Sequence, residues 1–135
     1  MKVLAETDFL VALLNSQDPL HTMATSALAR YQVLLSPFSL VELDLLVLSG
    51  RIMVKDHSRF LKCVQEDLER YGVELASASV SIHVLASELR EKHGLKYFDS
   101  LHYATAVNLG LPILSSDKAY GKLAYTRWVD LASVL

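Results

Sequence analysis

Apolar positions follow two alternating patterns along this chain. Short runs at Lys2-Val-Leu-Ala5, Val33-Leu-Leu35, Val73-Glu-Leu75 and Pro112-Ile-Leu114 have the length of buried strands. Arg127-Trp-Val129 has the character of a last edge strand. Between these runs the apolar residues switch to helical spacing. Asp18-Pro19 predicts a helix start, because Asp caps and Pro suits the first helical position. Leu20, Met23, Ala24, Ala27, Leu28 and Tyr31 follow at that period. Ser36-Pro37 repeats the signal, and Leu40, Val41, Leu45 and Leu48 continue it to a stop near Gly50. A helix from about Asp56 to Tyr71 carries Phe60, Leu61, Val64 and Leu68 on one face, with Gly72 after it. Ser79 caps a helix ending at His93-Gly94, and Tyr97 to Leu109 is helical in pattern and closed by Gly110.

Short strands alternating with helices predict an α/β fold with a mainly parallel sheet flanked by helices. No linker, internal repeat or composition change divides the chain, so residues 1–135 are expected to form a single domain. The longest apolar run, Phe9 to Leu14, falls far short of the ~18 residues of a membrane helix. The acids Glu6 and Asp8 near the start argue against a signal peptide. Cys63 is the single cysteine, which excludes an internal disulfide and agrees with a reducing cytoplasm. A net charge of −2 argues against a protein coated on nucleic acid by bulk charge, but permits a local basic patch. A mean hydropathy of +0.29 suggests a two-sided core, a self-association face, or both.

The 15 acids divide by context. Asp56, Glu66, Asp67, Glu69, Glu88 and Glu91 share helices with Lys and Arg and read as solvated faces. Glu6, Glu42, Asp99 and Asp117 sit in apolar or tightly turned surroundings. Glu6 and Asp117 follow strands, where a parallel sheet collects its functional groups. Several clustered carboxylates stay ionised only if a cation neutralises them, and hard oxygen ligands select Mg²⁺ or Mn²⁺. Such a cation activates water and stabilises an in-line phosphoryl displacement. Each acid also has an ordinary reading. Asp99 can cap its helix, Asp117 can sit in a turn, Glu6 can pair with a Lys, and Glu42 can form a capping box with Ser39.

In their order, these segments resemble the PIN-domain family, the nucleases that include the VapC toxins. Glu6-Thr7-Asp8-Phe9-Leu10 matches the family's strand end and following apolar helix. Ser39-Leu-Val-Glu42-Leu matches its acidic helix. Asp99-Ser-Leu-His-Tyr-Ala104-Thr-Ala106, then Gly110-Leu-Pro-Ile-Leu, matches its third acid and next strand, and Ser115-Ser116-Asp117 its last turn. The resemblance implies a parallel sheet of about five strands between helices and a Mg²⁺ or Mn²⁺ site at Glu6, Glu42, Asp99 and Asp117. It also implies RNA cleavage, a frequent homodimer and, in toxin members, a VapB-like antitoxin that blocks the acids.

Glu6 departs from the family's usual Asp, lengthening the carboxylate by one methylene. Asp8 can compensate if the strand persists, by alternation, or it can complement the dipole of a helix starting there. Thr7, Ser115 and Ser116 can orient a carboxylate or a water, or cap local backbone. His102, one turn after Asp99, can approach the crevice, or it can be a packing or surface residue beside Leu101 and Ala104, the reading its burial type favours. Tyr97, Phe98 and Tyr103 suit a core or dimer face. Lys118 and Lys122 are placed to hold a phosphate. The alternative function is a catalytically weak or inactive PIN-fold module that binds protein or RNA. A receiver-like phosphoacceptor is disfavoured, because no Asp ends Val33-Leu-Leu35 or Val73-Glu-Leu75.

Overall fold

The computed structural model describes residues 1–135. Five strands form one sheet: β1 (Lys2–Ala5), β2 (Gln32–Leu35), β3 (Glu74–Leu75), β4 (Ile113–Ser115) and β5 (Trp128–Asp130). Their order is β3-β2-β1-β4-β5, and every neighbouring pair is parallel. Parallel strands need crossovers, and helix pairs supply three of them. These are α1 (Thr7–Leu14) with α2 (His21–Arg30), α3 (Phe38–Leu48) with α4 (His57–Tyr71), and α5 (Val80–His93) with α6 (Tyr97–Leu109). A 3₁₀ turn at Lys118–Lys122 lies between β4 and β5. No helix is long and apolar enough to cross a membrane.

Strand alternation explains why the strands are apolar throughout rather than at every second position. Val3, Ala5 and Leu114 join one buried cluster with Phe9, Leu10, Ala24, Leu43 and Val64. Leu4 and Ile113 join a second with Ile82, Ala86, Leu89, Leu101 and Ala104. Successive residues therefore serve opposite faces, and helices cover both. Tyr103 is fully buried, stacked on Tyr120 with ring centroids 5.6 Å apart. Its hydroxyl accepts from the backbone N–H groups of Tyr125 and Thr126. Tyr97 is exposed.

Most helix ends follow their sequence signals. Asp56 and Ser79 cap α4 and α5 by accepting from Arg59 N and Ile82 N. Gly72 and Gly110 end α4 and α6 with φ of 68° and 67°, a region that suits glycine. Two starts differ. Asp18 accepts from Leu20 N at 2.8 Å and closes a turn, so α2 begins only at His21. Ser36 does not cap α3, because its hydroxyl is bonded to His102 instead.

Leu114 lies in β4 between β1 and β5 and is fully buried, in the strand that leads into Ser115 and Asp117. Leu114→Ala is expected to lower unfolding stability by about 2–5 kcal/mol. Urea denaturation followed by far-UV circular dichroism checks this, the expected result being a lower midpoint at unchanged slope.

Candidate active site

The chain runs outward from β1 to β2 and β3, then returns to the other side of β1 as β4 and β5. Between β1 and β4 the direction reverses, and crevices form there beyond the strands' carboxyl ends. Ala5 pairs with Leu114 and with Leu35, so the residues that follow all three stand at one level, where β1 and β2 end and β4 has its last residue. Glu6, Ser36 and Ser115 thus meet at one edge. Helices bring the remaining groups: α1 carries Thr7 and Asp8, α3 carries Glu42, and α6 carries Asp99 and His102.

A crevice of about 330 Å³ is lined by Glu6, Thr7, Asp8, Asp18, Glu42 and Asp99, with Val11, Leu20 and Leu46. Asp99 also borders a second cavity, of about 510 Å³, together with Asp117, His93, Lys96 and Lys122. The structure therefore brings Glu6, Glu42 and Asp99 to one crevice, and Asp117 to the far side of Asp99. A larger cavity of 570 Å³ lies away from these acids, against α3 and α4, and is lined mainly by Leu40, Leu61, Val64, Leu68, Val73 and Leu75.

Each acid has a distinct set of partners. Glu6 is buried and serves as the N-cap of α1, with Oε1 accepting from Asp8 N at 2.9 Å and Oε2 from Ser115 Oγ at 3.0 Å. It has no Lys partner. Helix α1 begins at Thr7, so Asp8 lies in its first turn. Asp8 also reaches across to β4, where Oδ2 accepts from Ser116 N and Ser116 Oγ, each at 2.6 Å. Ser115 and Ser116 thus bind carboxylates, and Ser115 Oγ additionally accepts from Asp117 N.

Glu42 forms no capping box, since the buried hydroxyl of Ser39 has no hydrogen-bond partner. Its Oε1 accepts from the Thr7 hydroxyl and lies 2.9 Å from His102 Nε2. Asp99 does not cap α6, which starts after Lys96 without a side-chain cap. Its nearest hydrogen-bonding neighbour is the Tyr120 hydroxyl, 3.5 Å from Oδ1. Asp117 caps the 3₁₀ turn through Oδ1, which accepts from Ala119 N. Among Glu6, Asp8, Glu42, Asp99 and Asp117, the oxygens without a protein donor are Glu42 Oε2, Asp117 Oδ2 and Asp99 Oδ2.

Burial drives Glu6 well above the ordinary carboxylate range, and the neighbouring Asp8 charge adds to it. Burial also raises Asp99, reinforced by Asp117 and opposed by His102. Glu42 behaves differently. Desolvation pushes it up, but hydrogen bonds from His102 and Thr7 outweigh that, so it stays below its ordinary value. The Tyr120 phenol is raised by burial and then by Glu6, Asp99, Asp117 and Asp8, so it remains protonated.

No three carboxylate or imidazole groups stand close enough together to enclose an ion as the side chains lie. Mutual repulsion of the acids opposes closer approach. The donor chemistry nonetheless fits Mg²⁺ or Mn²⁺, since the crevice that Glu6, Glu42 and Asp99 line offers oxygen donors and no imidazole or thiol. The sequence offers His102 a packing or surface place and Ser36 a helix cap; the structure instead joins them to each other and to Glu42. A histidine on an apolar helix has no local mark separating packing from a hydrogen bond to a distant carboxylate. Only the long-range approach of α6 to α3 supplies one.

These features define an α/β protein with a doubly wound parallel sheet and an acidic crevice at its switch point. Residues 3–124 match the PIN domain family, and the chain belongs to that family. No curated protein matches the chain. Several solved structures share its fold. A chain of a toxin-antitoxin complex from Klebsiella pneumoniae is 18% identical, with a TM-score of 0.67, covering 92% of this chain and 94% of that one. A chain of VapBC2 from Rickettsia felis, bound to a DNA fragment from its promoter, is 16% identical with a TM-score of 0.68, covering 96% and 98%. A chain of VapBC-1 from nontypeable Haemophilus influenzae is 15% identical with a TM-score of 0.70, covering 98% and 100%.

The raised carboxyls predict a pH dependence of stability. A carboxyl raised in the folded state binds its proton more tightly there than in the unfolded chain. Stability therefore falls as pH rises from the ordinary carboxylate pKa of about 4.3 through the raised folded value. Glu6 and Asp99 both act in this direction. Glu42, being lowered, loses its contribution only at more acidic pH. In chelator-containing buffer, the melting temperature is expected to rise as pH drops from 7 toward about 5. Glu6→Gln is expected to diminish that rise and to be the more stable protein at pH 7. Calorimetric melts of both proteins across this range check it.

Proposed function

We propose that this PIN-domain protein is a Mg²⁺- or Mn²⁺-dependent endoribonuclease of the VapC toxin type. The carrying observation is the meeting of Glu6, Glu42 and Asp99, from three separate segments, at one crevice, with Asp117 beside Asp99. Glu6, Glu42, Asp99 and Asp117 would hold the cation. When bound, the cation supplies activation of water and neutralisation of charge developing on a phosphodiester.

The chain's own groups prepare this chemistry. Thr7 and His102 anchor one oxygen of Glu42. Glu6 and Asp8 tie the start of α1 to Ser115 and Ser116, which holds the β1 and β4 ends side by side. Burial and Asp117 make an ionised Asp99 costly on its own, a cost that a bound cation would offset. Lys96 and Lys122 line the cavity that Asp99 and Asp117 share, where a phosphate of single-stranded RNA gains a counter-charge. Lys118 adds a positive charge at the same turn.

Residues 1–135 act as a single domain in this proposal, and the cytoplasm suits the lone thiol of Cys63. The likeness to chains of VapBC and toxin-antitoxin complexes supports a VapB-like antitoxin as partner. A homodimer is supported by Val41, Leu45 and Leu48, which recur about one turn apart along α3 and are all exposed.

A second reading is a PIN-fold module without strong catalysis. It is favoured by the engagement of both Glu6 oxygens within the fold and by the spacing of the acids. One comparison separates the two. Asp99→Asn is expected to remain folded, since Asp99 supports no cap, and to lose cleavage of single-stranded RNA by about 10³-fold or more with Mn²⁺ present. Gel assays of wild type and variant, with circular dichroism as the fold control, check this. Cleavage by neither protein supports the interaction module, and equal cleavage by both sinks the assignment of Asp99.

A further inference from the structure

We infer that His102 is a positioning residue for Glu42, holding one carboxylate oxygen so that the other is left for a cation, and that Ser36 sets the tautomer in which it does so. The inference rests on the proposed function and adds a layer beneath its acids.

His102 is 1% exposed, yet neither ring nitrogen is bonded to a backbone carbonyl. Both face side chains. Nε2 lies 2.9 Å from Glu42 Oε1, and Nδ1 lies 2.7 Å from Ser36 Oγ. An ionised carboxylate only accepts, so Nε2 must carry a hydrogen. A hydroxyl can donate, so Nδ1 can be the acceptor for Ser36. The neutral Nε2–H tautomer thus satisfies every atom of the relay from Ser36 through His102 to Glu42.

The relay is held at both ends. Ser36 follows β2, and its backbone N donates to Ala5 O at 2.9 Å. That is the residue before Glu6. Phe98 stacks near the imidazole, with ring centroids 6.3 Å apart and planes 26° apart. At the other end, Glu42 Oε1 receives two hydrogens, from Thr7 and from His102, which occupy both of its lone pairs. Oε2 has no protein donor. Glu42 therefore presents one oxygen, in a fixed direction, to the crevice it shares with Glu6 and Asp99. Without His102, Thr7 alone holds the carboxylate, and nothing at the start of α3 substitutes, since Ser39 is not bonded to it.

The test compares His102→Gln, His102→Asn and His102→Leu with wild type. The Gln amide extends to where Nε2 stands and can still donate to Glu42. The Asn amide stops near the Nδ1 position and cannot, and Leu fills space without a donor. The readout is calorimetric titration of metal-free protein with Mn²⁺, with melting temperature recorded separately. Loss of a partner that orients a metal ligand typically weakens affinity by about 10- to 100-fold. Asn and Leu are expected to show that loss, and Gln to recover most of it. Should His102→Leu fail to fold, the Gln and Asn pair carries the comparison. ¹⁵N-edited NMR of metal-free wild type is expected to show the Nε2–H tautomer, and Ser36→Ala a tautomer mixture.

Wild-type binding that Asn and Leu retain overturns the inference alone. Equal weakening in Gln and Asn reduces His102 to a structural role and overturns it as well. An Nδ1–H tautomer in wild type does the same. No Mn²⁺ binding by wild type removes the cation-dependent function and this inference together.

Discussion

The site depends on the parallel pairing of β1 with both β2 and β4 in one register. Ala5 stands opposite Leu35 on one side and Leu114 on the other. That alignment brings the carboxyl ends of three chain segments to the same level. Glu6, Ser36 and Ser115 come from distant parts of the sequence and would be unrelated without it. A one-residue slip would turn every side chain of a strand to the opposite face. The apolar residues of β1 pack into two different clusters, so a slip would exchange side chains fitted to two differently shaped cores. The core that stabilises the sheet is thus also what aligns the site.

Around that edge the polar groups form a hierarchy. Glu6 and Asp8 are closely held, with serine hydroxyls and backbone N–H groups satisfying them. Glu42 is anchored at one oxygen only. Asp99 and Asp117 keep carboxylate oxygens without a protein donor. Buried carboxylates cost free energy through lost hydration and mutual repulsion, and hydrogen-bond donors offset part of it. Glu6 and Asp8 are therefore the more tightly held acids, while Glu42, Asp99 and Asp117 each keep an oxygen that no protein group donates to. The longer side chain of Glu6 suits this arrangement, because it folds back to cap α1 while reaching Ser115.

Much of the fold is legible in local sequence. The apolar runs become strands within about one residue of their expected ends, a normal uncertainty. Gly72 and Gly110 mark helix ends because a left-handed backbone is needed there. Two helix starts depart from their local signals. Asp18 and Ser36 both carry cap-plus-proline signals, but each hydroxyl or carboxylate has one geometry to satisfy. Asp18 closes a turn, and Ser36 is taken by a histidine 66 positions away in sequence. Competition between a local cap and a distant partner cannot be judged from neighbours alone.

Sequence by itself determined the alternation of strands and helices, the two-faced burial and the four segments that carry Glu6, Glu42, Asp99 and Asp117. These follow from periodicity and from the contrast between apolar and acidic residues, which are local properties. Tertiary structure alone decided which acids share a crevice, which of their oxygens remain open and what His102 does. Those outcomes depend on the approach of α6 to α3 and of β4 to β1. Hydrogen bonding and desolvation act over a few ångströms of space, whatever the separation along the chain.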